Sequence, residues 1–320
     1  MAVNAVVTIG DEDYILPSAA TAISARKNLS RSDVVVIQYV VVRDETTLVS
    51  AVADRLAPSG VIVKPVKIDE LAALSSYHTD KAVPISALSR LWLHRFLDND
   101  VRKFLYLDGD VLVDAPLDPL FDLTVPSGGL LAADDCLCLY EHEIRQPRRY
   151  WQPYLQSIGV AWRDYFNSGV LLVEREGWET LSADALKYLM NNAALCRSSD
   201  QTALNVVAGK RRGRLPLRWN YQTEHMMVLD PRRIGVQPAI WHFAASPKPW
   251  DQAEWPWDDE FNRGFREAER TLNGLNVPRP PVNKVIFDEG RKHRRRQQNL
   301  QRWRFLYRRF RRSRKIRETL

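Results

Sequence analysis

Two aspartates, one residue apart, interrupt an otherwise apolar stretch of the chain, KFLYLDGDVLVDAPLDPLF at residues 103–121. Residues i and i+2 of an extended segment point to the same side, so Asp108 and Asp110 can present their carboxylates to one point. Gly109 between them leaves room for a close approach. Two like charges at that distance need a counter-ion, or one carboxyl group binds a proton. A divalent cation meets this need, and carboxylate oxygens suit Mg²⁺ or Mn²⁺.

A second group of polar residues lies far along the chain, in WHFAASPKPW at residues 241–250. His242 offers an imidazole nitrogen as a third ligand, which favours Mn²⁺ over Mg²⁺. Lys248 lies in a turn between two prolines, where its compact charge could meet a phosphate. Together with the aspartates, these residues indicate a site for a cation and a phosphate group.

Each of these residues also has an ordinary interpretation. An Asp-x-Asp pair occurs in surface turns with solvated acids, although the apolar run before Asp108 favours a buried strand and a metal site. A histidine such as His242 is commonly half-buried and hydrogen-bonded to the backbone, and Lys248 fits a solvated loop. The spacing of the residues alone leaves both interpretations open.

The elements that must position these residues alternate between strands and helices. Apolar runs predict strands, and helical patterns predict helices, at residues 3–9 (strand), 18–29 (helix), 34–42 (strand), 46–56 (helix), 61–66 (strand), 85–97 (helix) and 103–107 (strand). Continuously apolar strands at βαβ spacing predict an α/β fold with a mostly parallel sheet covered on both faces. Such sheets bind ligands at the carboxyl ends of their strands, where GDEDY (10–14) and DGD (108–110) both fall.

The middle of the chain continues this pattern. GGLLAADD (128–135) predicts a strand that ends in acids, and YFNSGVLLVERE (165–176) predicts a strand that opens on Asn167. Residues 178–192 have a helical pattern, and SDQTALNVV (199–207) places its polar residues at a helix start, where acids are favoured. Beyond residue 211 the periodicity fades, and PRPP at residues 278–281 is typical of a linker.

The composition is that of a globular protein with a separate basic end. With 320 residues, 45% of them hydrophobic, the chain can form one large α/β domain with appendages or two modest domains. Of the 46 Lys and Arg residues, 14 lie after residue 290 together with one acid, so residues 1–290 hold 32 bases and 38 acids. The mildly acidic body and the basic tail therefore require separate interpretations.

Cysteine usage and the first residues bear on localisation. The three cysteines, Cys136, Cys138 and Cys196, form no zinc or redox pattern, which indicates a reduced, cytosolic protein. The N-terminus shows no signal-peptide pattern. The most apolar window, residues 33–44, is too short to span a bilayer and suits a buried strand. We therefore expect a cytoplasmic protein.

Four segments in order, FLYLDGDVLV, YFNSGVLLV, DQTALN and HFAASPKPW, resemble the signatures of glycosyltransferase family 8. The resemblance runs from about residue 5 to residue 250, and the combination of motifs is specific although each is short. It implies a GT-A fold, a Rossmann-like nucleotide-diphospho-sugar transferase with a mostly parallel central sheet. It also implies transfer of a hexose, glucose or galactose, from a UDP-sugar with retention of configuration, with Mn²⁺, or Mg²⁺ in its place, as the metal ion.

The resemblance assigns roles to individual residues. Those matching the metal ligands are Asp108, Asp110 and His242. Those matching donor-binding residues are Ile9, Asp11, Tyr14, Arg90, Asp108, Gly109 and Lys248, with Asp11 at the uracil, Ile9 and Tyr14 at the base and ribose, and Arg90 and Lys248 at the diphosphate. Those matching residues around the donor sugar, in the catalytic centre, are Asn167, Asp200, Gln201 and Asp135, with Asp134 as a close second to Asp135.

Two details refine this expectation. The family usually has glycine at the third position after the histidine, where this chain has Ala245, and glycine there allows close approach of the backbone or a positive φ. The residue at the family's candidate nucleophile position is Gln201, whose amide is a poor nucleophile. We therefore expect front-face attack, in which Gln201 and Asp200 stabilise an oxocarbenium-like centre and the phosphate accepts the proton of the acceptor.

The tail has an amphipathic pattern. Apolar residues recur every three or four positions among arginines, namely at Leu300, Trp303, Leu306 or Tyr307, and Phe310. A basic amphipathic helix with aromatic residues suits an anionic membrane surface, where each base adds about 1 kcal/mol. The alternatives are a packed C-terminal helix and a solvated tail. The prediction is a helical tail peripherally associated with the inner face of the cell membrane, near a glycan or lipid-linked acceptor such as lipopolysaccharide.

The predicted organisation is a GT-A catalytic domain at residues 1–275, a linker at 276–290 and the basic tail at 291–320. Two other functions remain open at this point. Nucleotidyltransferases also use paired aspartates on an α/β sheet, but they do not require HFAASPKPW. A catalytically degenerate scaffold could bind membrane or RNA through the tail, although no motif for reading nucleic acid accompanies the charge, so nucleic acid is not an expected partner.

Overall fold

The computed structural model describes residues 3–43, 46–71, 88–142, 146–302 and 306–320. Within these residues, a central sheet has seven strands in the order β3–β2–β1–β4–β7–β6–β8. The strands are β1 (Val3–Asp11), β2 (Val34–Val42), β3 (Val61–Lys67), β4 (Val101–Leu107), β6 (Leu130–Asp134), β7 (Phe166–Glu174) and β8 (Arg212–Leu215).

The directions of the strands bring several polar segments to one edge of the sheet. Strands β1, β2, β3 and β4 are mutually parallel, whereas β7 is antiparallel to both β4 and β6. The carboxyl ends of β1, β4 and β6 therefore lie at the same edge as the beginning of β7. This geometry explains why the predicted site residues follow three of the strands but open the fourth.

A second, smaller sheet joins remote parts of the chain. It consists of β5 (Val111–Val113), β10 (Ile240–His242) and β9 (Tyr221–Gln222), with β10 in the middle. Strand β10 is antiparallel to β5 and parallel to β9. Because β5 begins directly after Asp110, this pairing brings the last residue of β10 to the two aspartates.

The helices cover the sheet and its edges. Their bounds are α1 (Ile15–Lys27), α2 (Thr47–Leu56), α3 (Leu93–Phe96), α4 (Asp118–Phe121), α5 (Gln146–Ser157), α6 (Arg175–Asn191), α7 (Ser199–Ala208), α8 (Thr223–Val228), α9 (Arg263–Thr271), α10 (Lys284–Arg302) and α11 (Leu306–Thr319). Short 3₁₀ turns that bear on the site occupy Glu12–Tyr14, Ser89–Trp92 and Cys136–Tyr140.

The core has two parts, one on each face of the central sheet. In β4, Leu105 and Leu107 belong to one buried cluster, whereas Phe104 and Tyr106 belong to the other. Successive side chains of a strand point to opposite faces, so both faces are apolar and covered. This arrangement explains why the strands appear in the sequence as continuous apolar runs.

The predicted α/β fold with a mostly parallel sheet is confirmed. The strand predicted at residues 34–42 matches β2, and the other predicted strands agree with the observed ones to within a few residues. Of the helix predicted at residues 85–97, residues 85–87 lie outside the described part of the chain, and the rest is a 3₁₀ turn followed by α3. The pairing of β5, β10 and β9 was not predicted, because these strands are only two or three residues long.

The basic end of the chain packs against the body. Helix α10 begins at Lys284, inside the segment predicted as a linker, and the domain boundaries as a whole stay a prediction. Ile316 of α11 is fully buried within the same apolar cluster as much of the body. Beside it, the Lys315 ammonium donates to the Cys138 carbonyl at 2.6 Å and pairs with Glu141 at 3.0 Å. Packing therefore holds part of this segment.

The apolar residues predicted to form the membrane-facing stripe are only partly described. Trp303 lies outside the described residues, and Phe310 of α11 is 67% exposed. A different residue, Ile316, anchors the helix. Across the ranges that the structure covers, no helix combines the length and the apolarity needed to cross a bilayer.

Truncating the buried anchor of α11 tests this packing. We expect Ile316→Ala to lower the free energy of unfolding by about 3 kcal/mol, because it leaves a cavity in the core. The matched control Phe310→Ala, on the exposed face of the same helix, should change it by less than about 0.5 kcal/mol. Urea unfolding measures both values, and equal effects of the two variants would contradict the docked position of α11.

Candidate active site and metal centre

The two aspartates and His242 meet at the edge of the central sheet. One ligand atom from each of Asp108, Asp110 and His242 lies within 4.8 Å of the others. The His242 Nε2 atom is 3.4 Å from Asp110 Oδ1 and 3.8 Å from Asp108 Oδ2. Two carboxylates and one imidazole nitrogen are a donor set that fits Mn²⁺, with Mg²⁺ as a poorer match to nitrogen.

The smaller sheet and a glycine create this geometry. His242 is the register partner of Val111, and the Phe243 amide donates to the Asp110 carbonyl at 3.0 Å. A Cβ atom at Gly169 would lie 2.4 Å from His242 Cε1 and 2.6 Å from Asp108 Oδ2. The glycine of FNSG is therefore required so that the imidazole and the carboxylate can approach each other.

A chain of hydrogen bonds fixes the orientation of the imidazole. The Gly169 amide donates to Asn167 Oδ1 at 3.0 Å, and the same oxygen accepts from Asn220 Nδ2 at 2.9 Å. Because the Asn220 amide nitrogen faces Asn167, its oxygen Oδ1 faces His242 Nδ1 at 2.9 Å. An amide oxygen only accepts, so His242 Nδ1 carries the proton and donates. Nε2 is thereby left facing the two carboxylates, which is the orientation that a metal-binding histidine needs.

Asn220 was not identified from the sequence. It is fully buried and contacts both His242 and Asn167, but it lies outside the recognised motifs, in RWNYQTEH. An asparagine between two aromatic residues gives no local signal of this role. Only the tertiary structure shows that its amide links the metal ligands to the residues of FNSG.

Two cations from other parts of the chain neutralise the acid pair. The Lys248 ammonium binds Asp110 Oδ2 and donates to the Phe243 carbonyl at 2.6 Å. Arg90 Nη1 lies 2.9 Å from Asp108 Oδ1. Burial alone would raise the pKa of Asp110, but the neighbouring Lys248 and His242 outweigh it and hold that pKa well below its usual range. Asp110 is therefore ionised and available as a ligand.

Arg90 connects the acid pair to the next group of residues. Its guanidinium is 3.2 Å from Asp200 Oδ2 as well as 2.9 Å from Asp108. Burial would lower the pKa of Arg90, yet these two carboxylates raise it above its usual value. Tyr106 supports both partners, since its hydroxyl donates to Asp108 at 2.6 Å and its ring lies under the Arg90 guanidinium at 4.9 Å. Tyr106 was not among the predicted site residues.

The residues predicted to surround the donor sugar form one connected group. Gln201 Oε1 accepts from the Ser168 amide at 3.0 Å, which turns its Nε2 towards Asp135 Oδ2 at 3.2 Å. Asn167 Nδ2 is 3.3 Å from that carboxylate oxygen. Burial raises the pKa of Asp135, although hydrogen bonds from Leu137 and Asn167 oppose the shift. The carboxylate is thus held by neutral donors.

Neighbouring acids at the end of β6 differ in their surroundings. Asp134 Oδ1 pairs with Arg212 at 2.7 Å and with Arg214 at 3.1 Å, on the side of β8. Asp135 contacts Asn167 and Gln201 instead. The geometry therefore places Asp135, and not Asp134, with the predicted sugar-binding residues.

The end of β1 brings the predicted nucleotide-binding residues beside the acid pair. Ile9 is buried and Asp11 is partly exposed at the last position of the strand. A Cβ atom at Gly109 would lie 2.5 Å from Ser18 Oγ and 3.0 Å from the Tyr14 ring. The space at Gly109 is thus filled by Tyr14 and Ser18, so the glycine allows α1 to pack on the acidic segment. This reason differs from the close carboxylate approach expected from the sequence.

Ala245 adopts the conformation that glycine would favour. Its φ is +68°, in the left-handed region, where a residue with a Cβ atom costs roughly 1–2 kcal/mol. The loop between His242 and Lys248 therefore keeps the backbone path for which the family uses glycine. This strain must be offset by contacts that hold the loop in place.

Removing the amide of Asn220 tests its link to the metal ligands. We expect Asn220→Ala to weaken Mn²⁺ binding by about 10- to 100-fold, because the imidazole loses the acceptor that orients it. Asn220→Asp keeps that acceptor but not the donor to Asn167, so it should retain most of the Mn²⁺ affinity. Titration calorimetry with Mn²⁺ measures both variants, and wild-type affinity in a folded Asn220→Ala variant would contradict this role.

Comparison with known proteins agrees with this geometry. Residues 5–254 match the model of Glycosyl transferase family 8. Lipopolysaccharide glucosyltransferase WaaO of Escherichia coli is 26% identical over 190 residues, which cover 56% of this chain and 52% of that enzyme. Galactinol synthase 1 of Arabidopsis thaliana is 31% identical over 173 residues, covering 51% and 48%. The chain thus spans about half the length of these curated relatives.

The fold also matches a solved structure. The galactosyltransferase LgtC, solved in complex with donor and acceptor sugar analogs, superimposes with a TM-score of 0.65 at 21% identity, covering 88% of this chain and 98% of that one. At this identity the likeness establishes the GT-A fold. Because the family model covers most of the chain and the motifs meet in one site, the chain belongs to glycosyltransferase family 8.

Proposed function

We propose that this protein is a retaining glycosyltransferase that moves a hexose from a UDP-sugar to a glycan or lipid-linked acceptor. The observation that carries the proposal is the meeting of Asp108, Asp110 and His242, with Lys248 bound to the same acid pair. Paired acids alone also suit a nucleotidyltransferase. Lys248, in the last of the four family motifs, favours a diphosphate-sugar donor, and membership of the family supports this choice.

The donor would lie across the carboxyl edge of the sheet. Ile9, Asp11 and Tyr14 at the end of β1 would bind the uracil and the ribose. Arg90 and Lys248 would bind the diphosphate, exchanging their present carboxylate partners for phosphate oxygens. A divalent cation, Mn²⁺ in this proposal, would be held by the acid pair and the imidazole and would supply Lewis-acid stabilisation of the departing diphosphate.

The sugar would lie against the group formed by Asn167, Asp200, Gln201 and Asp135. Gln201 donates its amide nitrogen to Asp135 and accepts at its oxygen from Ser168, which fits a positioning role better than covalent attack. Asp200 is buried and paired with Arg90. Both side chains can then stabilise positive charge that develops at the anomeric carbon.

Front-face substitution accounts for retention without a covalent intermediate. The bond between the anomeric carbon and the diphosphate oxygen breaks, and the acceptor oxygen forms its bond on the same face. The acceptor proton passes to the departing phosphate oxygen. Lys248 stabilises the charge that grows on that phosphate, an effect larger in the transition state than in the bound donor.

The exposed part of the C-terminal segment supports a peripheral membrane location. Val282, Val285 and Ile286 are each at least half exposed, and Lys284 lies among them. Exposed apolar side chains beside bases suit an anionic lipid surface, which we propose to be the inner face of the cell membrane. A lipid-linked glycan such as lipopolysaccharide would be presented at such a surface, and the name of the relative WaaO is consistent with this acceptor class.

The proposed catalytic domain comprises residues 1–275.

The acid pair provides a direct test. We expect Asp110→Asn to lower kcat/KM for Mn²⁺-dependent hydrolysis and transfer of UDP-hexose by about 1,000-fold, or about 4 kcal/mol, because one ligand loses its charge. Asp122→Asn is the matched control, since that exposed carboxylate pairs with Arg31 at the surface. The assay is release of UDP from a panel of UDP-hexoses with Mn²⁺ or EDTA.

Several outcomes would overturn the proposal. Full activity of Asp110→Asn would remove the metal assignment. Turnover of nucleoside triphosphates in place of UDP-hexoses would establish nucleotidyl transfer. Absence of Mn²⁺-dependent UDP-sugar binding in a thermal-shift assay would instead leave a scaffold whose basic tail is the active part.

A further inference from the structure

Helix α10 lies directly on the segment that carries Lys248. A Cβ atom at Gly290 would be 2.0 Å from the Ser246 carbonyl oxygen and 3.5 Å from Pro247 Cδ. Glycine inside a helix costs about 1 kcal/mol relative to alanine, so its presence here needs a reason. The close approach of the helix to the backbone two residues before Lys248 supplies that reason.

Arg294 makes the second contact, one helical turn further along. It is only 4% exposed, and its Nη2 atom donates to the Pro247 carbonyl. Its Nη1 atom lies 3.9 Å from Glu254 Oε1, while Arg291 Nε donates to Glu254 Oε2 at 3.1 Å. The helix therefore contacts the chain on both sides of Lys248, at residue 247 and at residue 254.

Arg294 keeps its charge although it is buried. Burial lowers the pKa of Arg294 to about 10, with Glu254 opposing the shift, so the guanidinium still carries its charge at neutral pH. A buried charge of this kind is stable only when its partners stay in place. If the loop moved away, the Arg294 guanidinium would lose the Pro247 carbonyl and stay buried without that partner, which is unfavourable. The contact therefore opposes displacement of the loop.

A third contact joins the helix to the other side of the loop. His293 Nε2 is 2.6 Å from Glu224 Oε1, and the same carboxylate accepts from the Tyr140 hydroxyl at 3.2 Å. Glu224 lies in α8, whose Thr223 hydroxyl donates to the Ala244 carbonyl. Helix α10 thus contacts residues 246–247, which follow Ala245, and also α8, which binds the carbonyl of the residue before Ala245.

We propose that Gly290 and Arg294 are positioning residues of the donor site: through the backbone of residues 246–247 and Glu254 they hold the Lys248 ammonium at the acid pair. The role for the donor rests on the function proposed above. The left-handed Ala245 makes external support necessary, because the loop alone would relax to a less strained path. Helix α10 then supports the donor site in addition to carrying the exposed apolar residues Val285 and Ile286.

The test compares Arg294→Met with Arg295→Met in the full-length chain. Both substitutions remove one arginine from α10, but Arg295 is exposed. We expect Arg294→Met to speed amide hydrogen exchange across residues 244–254 by about tenfold or more without any ligand. It should also weaken Mn²⁺-dependent UDP binding and raise KM for the UDP-sugar by about tenfold, with a smaller change in kcat. Arg295→Met should resemble the wild type in each measurement.

Two further variants guard against general unfolding. Arg294→Lys keeps a donor for the Pro247 carbonyl and should recover part of the UDP affinity. Gly290→Ala keeps all charges but presses its methyl group against the Ser246 carbonyl, so it should give the same faster exchange at residues 244–254. Circular dichroism melting identifies any variant that fails to fold, and the remaining variants decide the question.

The outcomes separate this proposal from the proposed function. Unchanged exchange at residues 244–254 in both folded Arg294→Met and Gly290→Ala overturns the positioning role. Faster exchange with unchanged UDP affinity and KM also overturns it. A wild-type chain that binds no UDP with Mn²⁺ overturns the function proposed above, and in that case faster exchange supports the contact as a structural one and overturns its role for the donor.

Discussion

The site depends on the confinement of two carboxylates in a small volume at the end of a buried strand. Asp108 and Asp110 can share that volume only because positive charge reaches them from remote parts of the chain. Arg90 and Lys248 supply it, and the apolar residues of β4 fix where the acids lie. The same charges make the site suitable for a divalent cation and a diphosphate. A cation can take the place of the lysine and arginine beside the acids, and a diphosphate can take the place of the acids beside those two basic side chains.

Neutral amides connect the charged centre to the rest of the site. Asn220 links His242 to Asn167, and Gln201 links the backbone of Ser168 to Asp135. Amides suit these positions because they donate and accept without adding charge to a region already rich in acids. The Gly169 amide donates to Asn167 and so sets the direction of the hydrogen bonds that run through Asn220 to His242. The geometry at His242 therefore depends on the start of β7.

The C-terminal segment combines two kinds of surface. On its docked side, α10 contributes Gly290 and the buried charge of Arg294, and α11 contributes the buried apolar residue Ile316. These contacts differ from the regular apolar stripe that the sequence predicted. Its exposed side includes Val285 and Ile286. Helix α10 contacts the backbone of residues 246–247 through Gly290 and Arg294 and also carries the exposed Val285 and Ile286, so one helix connects the loop before Lys248 to an exposed apolar surface.

The sequence by itself determined the α/β class, the strands β1 to β4, β6 and β7, and the acidic edge of the sheet, because continuous apolar runs and polar strand ends are local patterns. The family motifs further indicated which residues belong to the site, and the structure brings them together. Tertiary structure alone decided the rest: the pairing of β5 with β10, the role of Asn220 and the docking of Arg294. The strands of that pairing are three residues long and more than 120 residues apart in the chain, so neither periodicity nor composition carries a signal for a contact that exists only after the main sheet has formed.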